Sequence, residues 1–244
     1  MNFSQPNRSV LSGIECLQWL AMSPNPVGTR EMGRLMGIDP NRASRLLNSL
    51  VLAGIARKTA QRKFTVGSGF HVLSAQSLHA SGILPVALPP LEELCRLKAT
   101  VALGVLWKDR VAYLFHRSSG RSFHEAIGAL ASYAASESSL GLALLAEEPW
   151  ERVERLYAGK AIPGFEGLEA LRTVLETTRR CGFSRTLSRG STFSEAVVIR
   201  EGEQAIAAVG LANSPPEIEE AERLDHLRRA AATIGAGLKP GRFT

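Results

Sequence analysis

Apolar side chains recur with the spacing of an α-helix in three consecutive stretches of the first 54 residues. The first stretch follows Ser9, which can cap a helix N-terminus, and the prolines and polar residues at 23–26 end it. The second begins at Thr29, whose hydroxyl can accept first-turn amide hydrogens, and Gly37 ends it because glycine adopts a positive φ readily. The pattern predicts two helices joined by a short turn.

A longer third helix is predicted from Pro40 to about Ala53. Asp39 can cap it, and proline suits the first helical position, where its missing N–H leaves no hydrogen bond unmade. Residues 55–58 and 63–66 flank a polar turn and predict a hairpin with a basic tip. This order of elements predicts a winged helix-turn-helix, whose third helix fits the major groove of DNA.

The remainder of the chain mixes helical and strand patterns. A linker helix is predicted over residues 68–82, with its periodicity at 70–81, and another helix is expected to start at Pro89-Pro90. Five strands are predicted at 101–107, 111–115, 183–187, 196–199 and 206–212. Further helices are predicted at 140–147, 150–158, 167–180 and from Pro216 to about Leu238. The sequence therefore predicts an α+β chain with a DNA-binding domain at 1–67 and an antiparallel-sheet domain at 83–244.

Charge changes this picture, because residues 1–67 hold nine basic and three acidic side chains, whereas the remainder holds 20 of each. A basic segment beside a neutral one indicates a polyanion-binding module, although a membrane surface or solubility alone would also account for it. The helices and hairpin favour double-stranded DNA. The residues predicted to contact it are Thr29, Arg30, Asn41, Arg42, Ser44, Arg45, Arg57, Lys58, Arg62 and Lys63.

Residues 29–54 resemble the DNA-binding domain of the IclR family of bacterial transcriptional regulators. The matching features are the Arg45-Leu46-Leu47 run, Leu50, Gly54 and the Phe64-Thr-Val-Gly67 end of the hairpin. The resemblance implies that Asn41, Arg42, Ser44 and Arg45 face the DNA, with Arg45 as a backbone clamp. It also implies a homodimer or a dimer of dimers on a palindromic operator.

Residues 136–146, 180–183 and 207–212 resemble runs of the same family's GAF/PAS-like effector domain. In members that bind small carboxylates, the places of Val198, Gly210 and Ala212 help to hold the ligand, as does a backbone loop at Gly128 and Ala129. This chain lacks the usual polar side chains there, which favours an apolar or aromatic effector. A pocket that has lost its effector, in a domain that serves only oligomerisation, is the alternative.

Other functional classes are disfavoured by the sequence. It contains no recognisable catalytic, nucleotide-binding or metal-binding motif, so neither an enzyme, a cofactor nor a metal is predicted. A winged helix that binds protein would carry an acidic or apolar third helix, whereas this helix is basic. No membrane span or secretory signal is predicted, and the expected location is the bacterial cytoplasm.

Overall fold

The computed structural model divides the chain into two compact units, Met1–Ala80 and Ser81–Thr244. It describes residues 5–120, 126, 132–187 and 193–238. The helices are α1 Arg8–Met22, α2 Thr29–Met36, α3 Pro40–Leu52, α4 Ser68–Ser81, α5 Ile83–Cys95, α6 Ser139–Leu145, α7 Trp150–Tyr157, α8 Leu168–Cys181 and α9 Glu220–Gly237. The strands are β1 Ala56–Lys58, β2 Phe64–Val66, β3 Thr100–Trp107, β4 Arg110–Arg117, β5 Ser132–Ala134, β6 Ser184–Leu187, β7 Phe193–Glu201 and β8 Gln204–Ala212.

Helix α1 begins at Arg8 because Asn7, and not Ser9, caps it. The Asn7 Oδ1 accepts hydrogen bonds from the backbone N–H groups of Ser9 and Val10, at 3.0 and 3.3 Å. Asparagine caps helices as well as serine does. The predicted cap was therefore wrong, and Ser9 is the second residue of the helix.

The first unit has a single apolar core among α1, α2, α3 and the β1–β2 hairpin. Helix α3 contributes Ala43 and Leu47, and β2 contributes Phe64, which is 2% exposed. The backbone of Phe64 also exchanges two 2.8 Å hydrogen bonds with Val27. The sequence pattern missed this pairing because a single apolar residue among turn formers gives no strand signal.

Helix α5 contradicts the predicted start at Pro89-Pro90, because both prolines lie inside it. An interior proline removes a backbone hydrogen bond and costs about 3 kcal/mol in an ordinary helix. The residues that α5 buries recur at helical spacing, and they are Ile83, Ala87, Leu91 and Leu94. They pack into the main core of the second unit, so tertiary packing outweighs the local penalty.

The second unit is built on a six-stranded antiparallel sheet in the order β5–β4–β3–β8–β7–β6. Five of these strands match predicted ones, which confirms the α+β class. Strand β5, which has three residues, was not predicted. Strand β7 begins at Phe193 rather than at Ala196, and so it brings Ser194 and Glu195 into the sheet.

The sheet separates two layers of helices. Helices α5 and α9 cover one face, where Val101, Leu103, Val209 and Leu211 point into the main core. Helix α6 covers the other face, and all seven of its residues are buried. Helices α7 and α8 pack on the side of α6 that faces away from the sheet. Alternate residues of each strand therefore face either α9 or α6.

Candidate DNA-binding surface and effector site

The turn between α2 and α3 is set by local capping. Gly28, rather than the predicted Thr29, caps α2: its N–H donates to Glu31 Oε2 at 3.4 Å, and its carbonyl accepts from Met32 N–H at 2.9 Å. These two hydrogen bonds form a capping box, in which the glutamate lies three residues after the capping residue. Glu31 therefore pairs with Gly28, and Thr29 is the first helical residue. Gly37 ends the helix at a φ of +62°, as predicted.

Helix α3 begins as predicted, with Asp39 Oδ1 accepting from Asn41 N–H at 2.8 Å and Pro40 at the first position. Because Ala43 and Leu47 are buried in the core, the opposite side of the helix faces solvent. The exposed polar side chains of α3 are Asn41, Arg42, Arg45, Asn48 and Ser49. The structure thus brings Asn41, Arg42 and Arg45 together on one accessible helix.

The residues predicted to bind DNA are mostly accessible. Thr29 and Ser44 are half-buried, and the Ser44 hydroxyl accepts from Asn48 Nδ2 at 3.4 Å. The remaining eight residues of the predicted set are exposed. Within the described part of the chain, none of the basic members forms an ion pair with a carboxylate. Their charges are therefore available for phosphates.

The β1–β2 hairpin has the dimensions of a short wing. Its turn is closed by hydrogen bonds from Thr59 N–H to Lys63 O at 2.7 Å and from Lys63 N–H to Thr59 Oγ1 at 3.2 Å. Arg62 sits in this turn with a φ of +58°, a conformation that non-glycine residues rarely adopt. The Lys58 ammonium lies 5.5 Å from the centre of the buried Phe64 ring. This cation–π contact lies across the two strands of the hairpin, where Lys58 and Phe64 are register partners.

The predicted effector residues are only partly described. Gly128 and Ala129 lie outside the described residues. Val198, Gly210 and Ala212 all lie on the face of the sheet that α6 covers, where the register pairs Gly210 with Ala196 and Ala212 with Ser194. The structure therefore places these three residues on one face.

Helix α6 closely covers the centre of that face. A Cβ atom added to Gly210 would lie 2.7 Å from Leu140 Cδ1 and 2.8 Å from Glu195 O, so only glycine fits there. Ala212 and Ser194, one residue pair further along, are half-buried. The face is therefore less tightly covered at the Ala212 end than at Gly210.

Four hydroxyl groups beside this face were missed by the sequence analysis. Ser139 Oγ lies 2.9 Å from Ser194 Oγ, and Tyr113 Oη lies 3.1 Å from Ser138 Oγ. Burial raises the pKa of Tyr113, although the Ser138 hydrogen bond opposes this effect. Extending the alternation of β7 towards its N-terminus would have placed Ser194 on the same face as Ala196. The serines on α6 carry no comparable signal.

His116 adds an aromatic group to the same region of β4. Its ring stacks on Tyr113 with centroids 5.6 Å apart, and Tyr113 also contacts the Tyr133 ring at 5.0 Å. Burial lowers the pKa of His116, so the imidazole is neutral at pH 7. Two cavities, of about 410 and 310 Å³, lie elsewhere: Val198 lines the first, and neither Gly210 nor Ala212 lines either of them.

In the described ranges, no three His, Cys, Asp or Glu side chains are arranged to hold a metal ion. Within those ranges, no helix has the length and apolarity needed to cross a membrane.

Several solved structures share the fold of nearly the whole chain. An IclR homologue from Microbacterium hydrocarbonoxydans, solved with 4-hydroxybenzoate, is 25% identical with a TM-score of 0.67, covering 93% of this chain and 98% of that one. An IclR homologue from Microbacterium sp. strain HM58-2 is 26% identical with a TM-score of 0.55, covering 94% and 97%. An IclR-family transcriptional regulator from Brucella abortus is 21% identical with a TM-score of 0.74, covering 98% and 97%.

No protein-family model matches the sequence, and no curated protein sequence matches it. The structural likeness nevertheless extends through both units of the chain. Two of these neighbours are named as IclR homologues and the third as an IclR-family transcriptional regulator. Over nearly its whole length the chain has the structure of an IclR-family transcriptional regulator, which confirms the resemblance seen in its sequence.

Proposed function

We propose that the chain is a sequence-specific DNA-binding transcriptional regulator whose operator affinity is modulated by a small molecule bound in its second unit. One observation carries the first half of this proposal. The basic side chains of α3 and of the adjoining hairpin are exposed, and within the described part of the chain they form no ion pair with a carboxylate. A groove-sized helix with basic and amide side chains matches the dimensions and chemistry of the DNA major groove.

The two parts of the DNA-binding surface have different roles in this proposal. Asn41 and Arg42 on α3 contact base edges, because amide and guanidinium groups can make paired hydrogen bonds to adenine and guanine. Arg45 and the four basic side chains of the wing contact phosphates or the neighbouring minor groove. These four side chains are those of Arg57, Lys58, Arg62 and Lys63.

The regulator acts as a homodimer or a dimer of dimers on a palindromic operator. One winged helix makes too few contacts for tight specific binding, so two-fold pairing on two half-sites is expected. Helix α4 supports this view because it buries none of its residues, and Val72 and Leu73 on it are more than half exposed. Apolar side chains on an unburied helix favour contact with a second copy.

An aromatic compound with a polar substituent suits the Ala212 end of the α6-covered face. Ala212 and Ser194 are only half-buried there, and the hydroxyls of Ser194 and Ser139 can bond to a polar group. The neighbour solved with 4-hydroxybenzoate supports this chemical class. The close packing of Leu140 over Gly210 favours the alternative, a domain that binds no effector and serves only oligomerisation.

A gel-shift assay with DNA from upstream of the chain's own gene tests the DNA-binding proposal. Retention should be specific against a scrambled duplex of equal length. It should also weaken by about 10³-fold or more between 50 and 200 mM salt, since each phosphate contact releases counterions. Absence of salt-dependent retention on this DNA and on any enriched duplex would reject the regulator function.

A further inference from the structure

We propose that Ser12 is a positioning residue that orients Arg42 for contact with a base edge. The proposal rests on the proposed DNA-binding function and extends it to a residue outside the helix-turn-helix. The Arg42 Nη2 group donates to Ser12 Oγ at 3.1 Å. Among the described residues, this is the side chain–side chain hydrogen bond that connects α1 with α3.

The bond leaves Arg42 able to bind DNA. A guanidinium carries five N–H donors, and Ser12 takes one of them. A paired contact with guanine O6 and N7 needs two donors. The Ser12 contact and a base contact can therefore exist together.

Packing of α1 against α3 holds the backbone of Ser12 in place. It lies on α1, whose Cys16 and Leu20 are buried in the same core as Ala43 and Leu47 of α3. The hydroxyl is thereby held at a fixed distance from the start of α3. An exposed arginine without such an anchor samples many rotamers, and ordering it on DNA costs conformational entropy.

Arg45 provides the contrast on the same helix. Its side chain is exposed, and within the described ranges it makes no hydrogen bond or ion pair. A mobile guanidinium suits a phosphate clamp, which tolerates variable geometry, whereas a base reader needs a defined direction. The two arginines are therefore expected to differ in function, with Ser12 as the cause of the difference.

The test uses the full chain and the duplex that it enriches from a random library of about 30 bp, which is long enough for two half-sites. Affinities are measured for this duplex and for every single-base variant of it. Ser12→Ala should reduce the preference at the Arg42-dependent positions by about three- to tenfold, and Arg42→Ala should abolish it. The slope of affinity against salt should stay unchanged in Ser12→Ala, because no phosphate-binding charge is removed.

Three variants make the result specific. Ser12→Thr keeps the hydroxyl and should retain the wild-type base preference. Ser9→Ala removes a hydroxyl from the same helix without touching Arg42, and should have no effect. Adding Ser12→Ala to Arg42→Ala should change nothing further, since the partner is already absent.

Equal base preferences in Ser12→Ala and the wild type would overturn the positioning role while leaving the regulator function intact. A uniform loss of affinity for all duplexes, or a Ser12→Ala effect that persists without Arg42, would also overturn it. If the wild-type chain enriches no sequence at all, the proposed function fails, and this inference fails with it.

Discussion

Glu195 on β7 accepts hydrogen bonds from both Nε and Nη2 of Arg223 on α9, at 2.8 and 3.0 Å. Arg185 on β6 donates to the same carboxylate at 2.8 Å. The Glu195 side chain is only 2% exposed. Burial alone would raise the pKa of Glu195, but hydrogen bonds and charges from the two arginines outweigh it and hold the pKa below 4.5. The carboxylate therefore ties α9 to the sheet in its charged form.

This arrangement predicts a pH-dependent contribution to stability. Because the pKa of Glu195 is lower in the folded than in the unfolded chain, its stabilisation is present above the unfolded pKa and is lost as pH falls through the folded pKa. Glu195→Gln should reduce the free energy of unfolding by about 1–3 kcal/mol at pH 7, and the deficit should shrink below pH 4.5. Urea denaturation of both proteins at pH 7 and below pH 4.5 measures the difference in the free energy of unfolding.

Glu220→Gln is the matched control for that experiment. Glu220 pairs with Arg185 at 2.7 Å, but its side chain is 50% exposed. An exposed pair contributes about 0–1 kcal/mol, so this variant should stay close to the wild type at neutral pH. A Glu195→Gln deficit that is the same at all pH values would contradict the ion-pair account.

Gly141 is predicted to be irreplaceable by alanine. A Cβ atom at this position would overlap the backbone of Ala135, and α6 cannot move because every residue of it is buried. Gly141→Ala should destabilise the second unit by about 3 kcal/mol or more, or prevent soluble expression. Gly167→Ala is the control, since a Cβ there meets no atom within 4 Å. Calorimetry of both variants decides the matter, and equal melting temperatures would refute the packing argument.

The elements that the sequence predicted well are those fixed by neighbours along the chain. Asp39, Pro40 and Gly37 act within one helical turn, so their effect on α2 and α3 can be read locally. Two caps were misplaced, at Asn7 and Gly28, because adjacent residues compete for the same role. Helix α5 was misread because its prolines oppose the helix locally while burial of its apolar side favours it.

The candidate DNA-binding surface was more predictable than the candidate effector region for a related reason. Its residues lie on α3, on the first turn of α2 and on one hairpin, so local periodicity places most of them on an exposed side. The hydroxyls of Ser139 and Ser194 come from elements 55 positions apart and meet only after α6 packs on the sheet. The pattern of a single sequence does not predict such a long-range side-chain contact.

The wing lysines should affect DNA binding without affecting its specificity. Lys58→Ala and Lys63→Ala remove exposed charges from a hairpin that is expected to lie on phosphates. Each variant should weaken binding to all duplexes by a similar factor and lower the salt slope by about one unit. Lys98→Ala, a charge outside the DNA-binding unit, serves as the control. A change in preferred sequence for either wing variant would show that the wing reads bases.

Pairing of the DNA-binding units should depend on α4. Val72 and Leu73 are 53% and 54% exposed, and a glutamate at both positions would place charge in the proposed contact. In the wild type, a duplex with two half-sites should bind more tightly than a duplex with one. The double variant should reduce this ratio of affinities at least tenfold, while its affinity for a single half-site stays unchanged. His71→Glu adds a charge to the same helix at a position turned away from Leu73, and should keep the advantage. An unchanged ratio in the double variant would exclude α4 pairing.

The hydroxyls of Ser139 and Ser194, beside the sheet face that α6 covers, should determine whether an aromatic acid binds. In the wild-type chain, 4-hydroxybenzoate at about 100 times its dissociation constant should raise the melting temperature by several degrees. Ser194→Ala removes the hydroxyl that lies 2.9 Å from Ser139 Oγ, and should abolish most of this rise while leaving the unliganded melting temperature within a few degrees of the wild type. Ser214→Ala, on the loop after β8, should respond like the wild type. If a panel of aromatic acids and small carboxylates leaves the wild-type melting temperature unchanged, while the chain still binds DNA, the domain without an effector becomes the better account of the second unit.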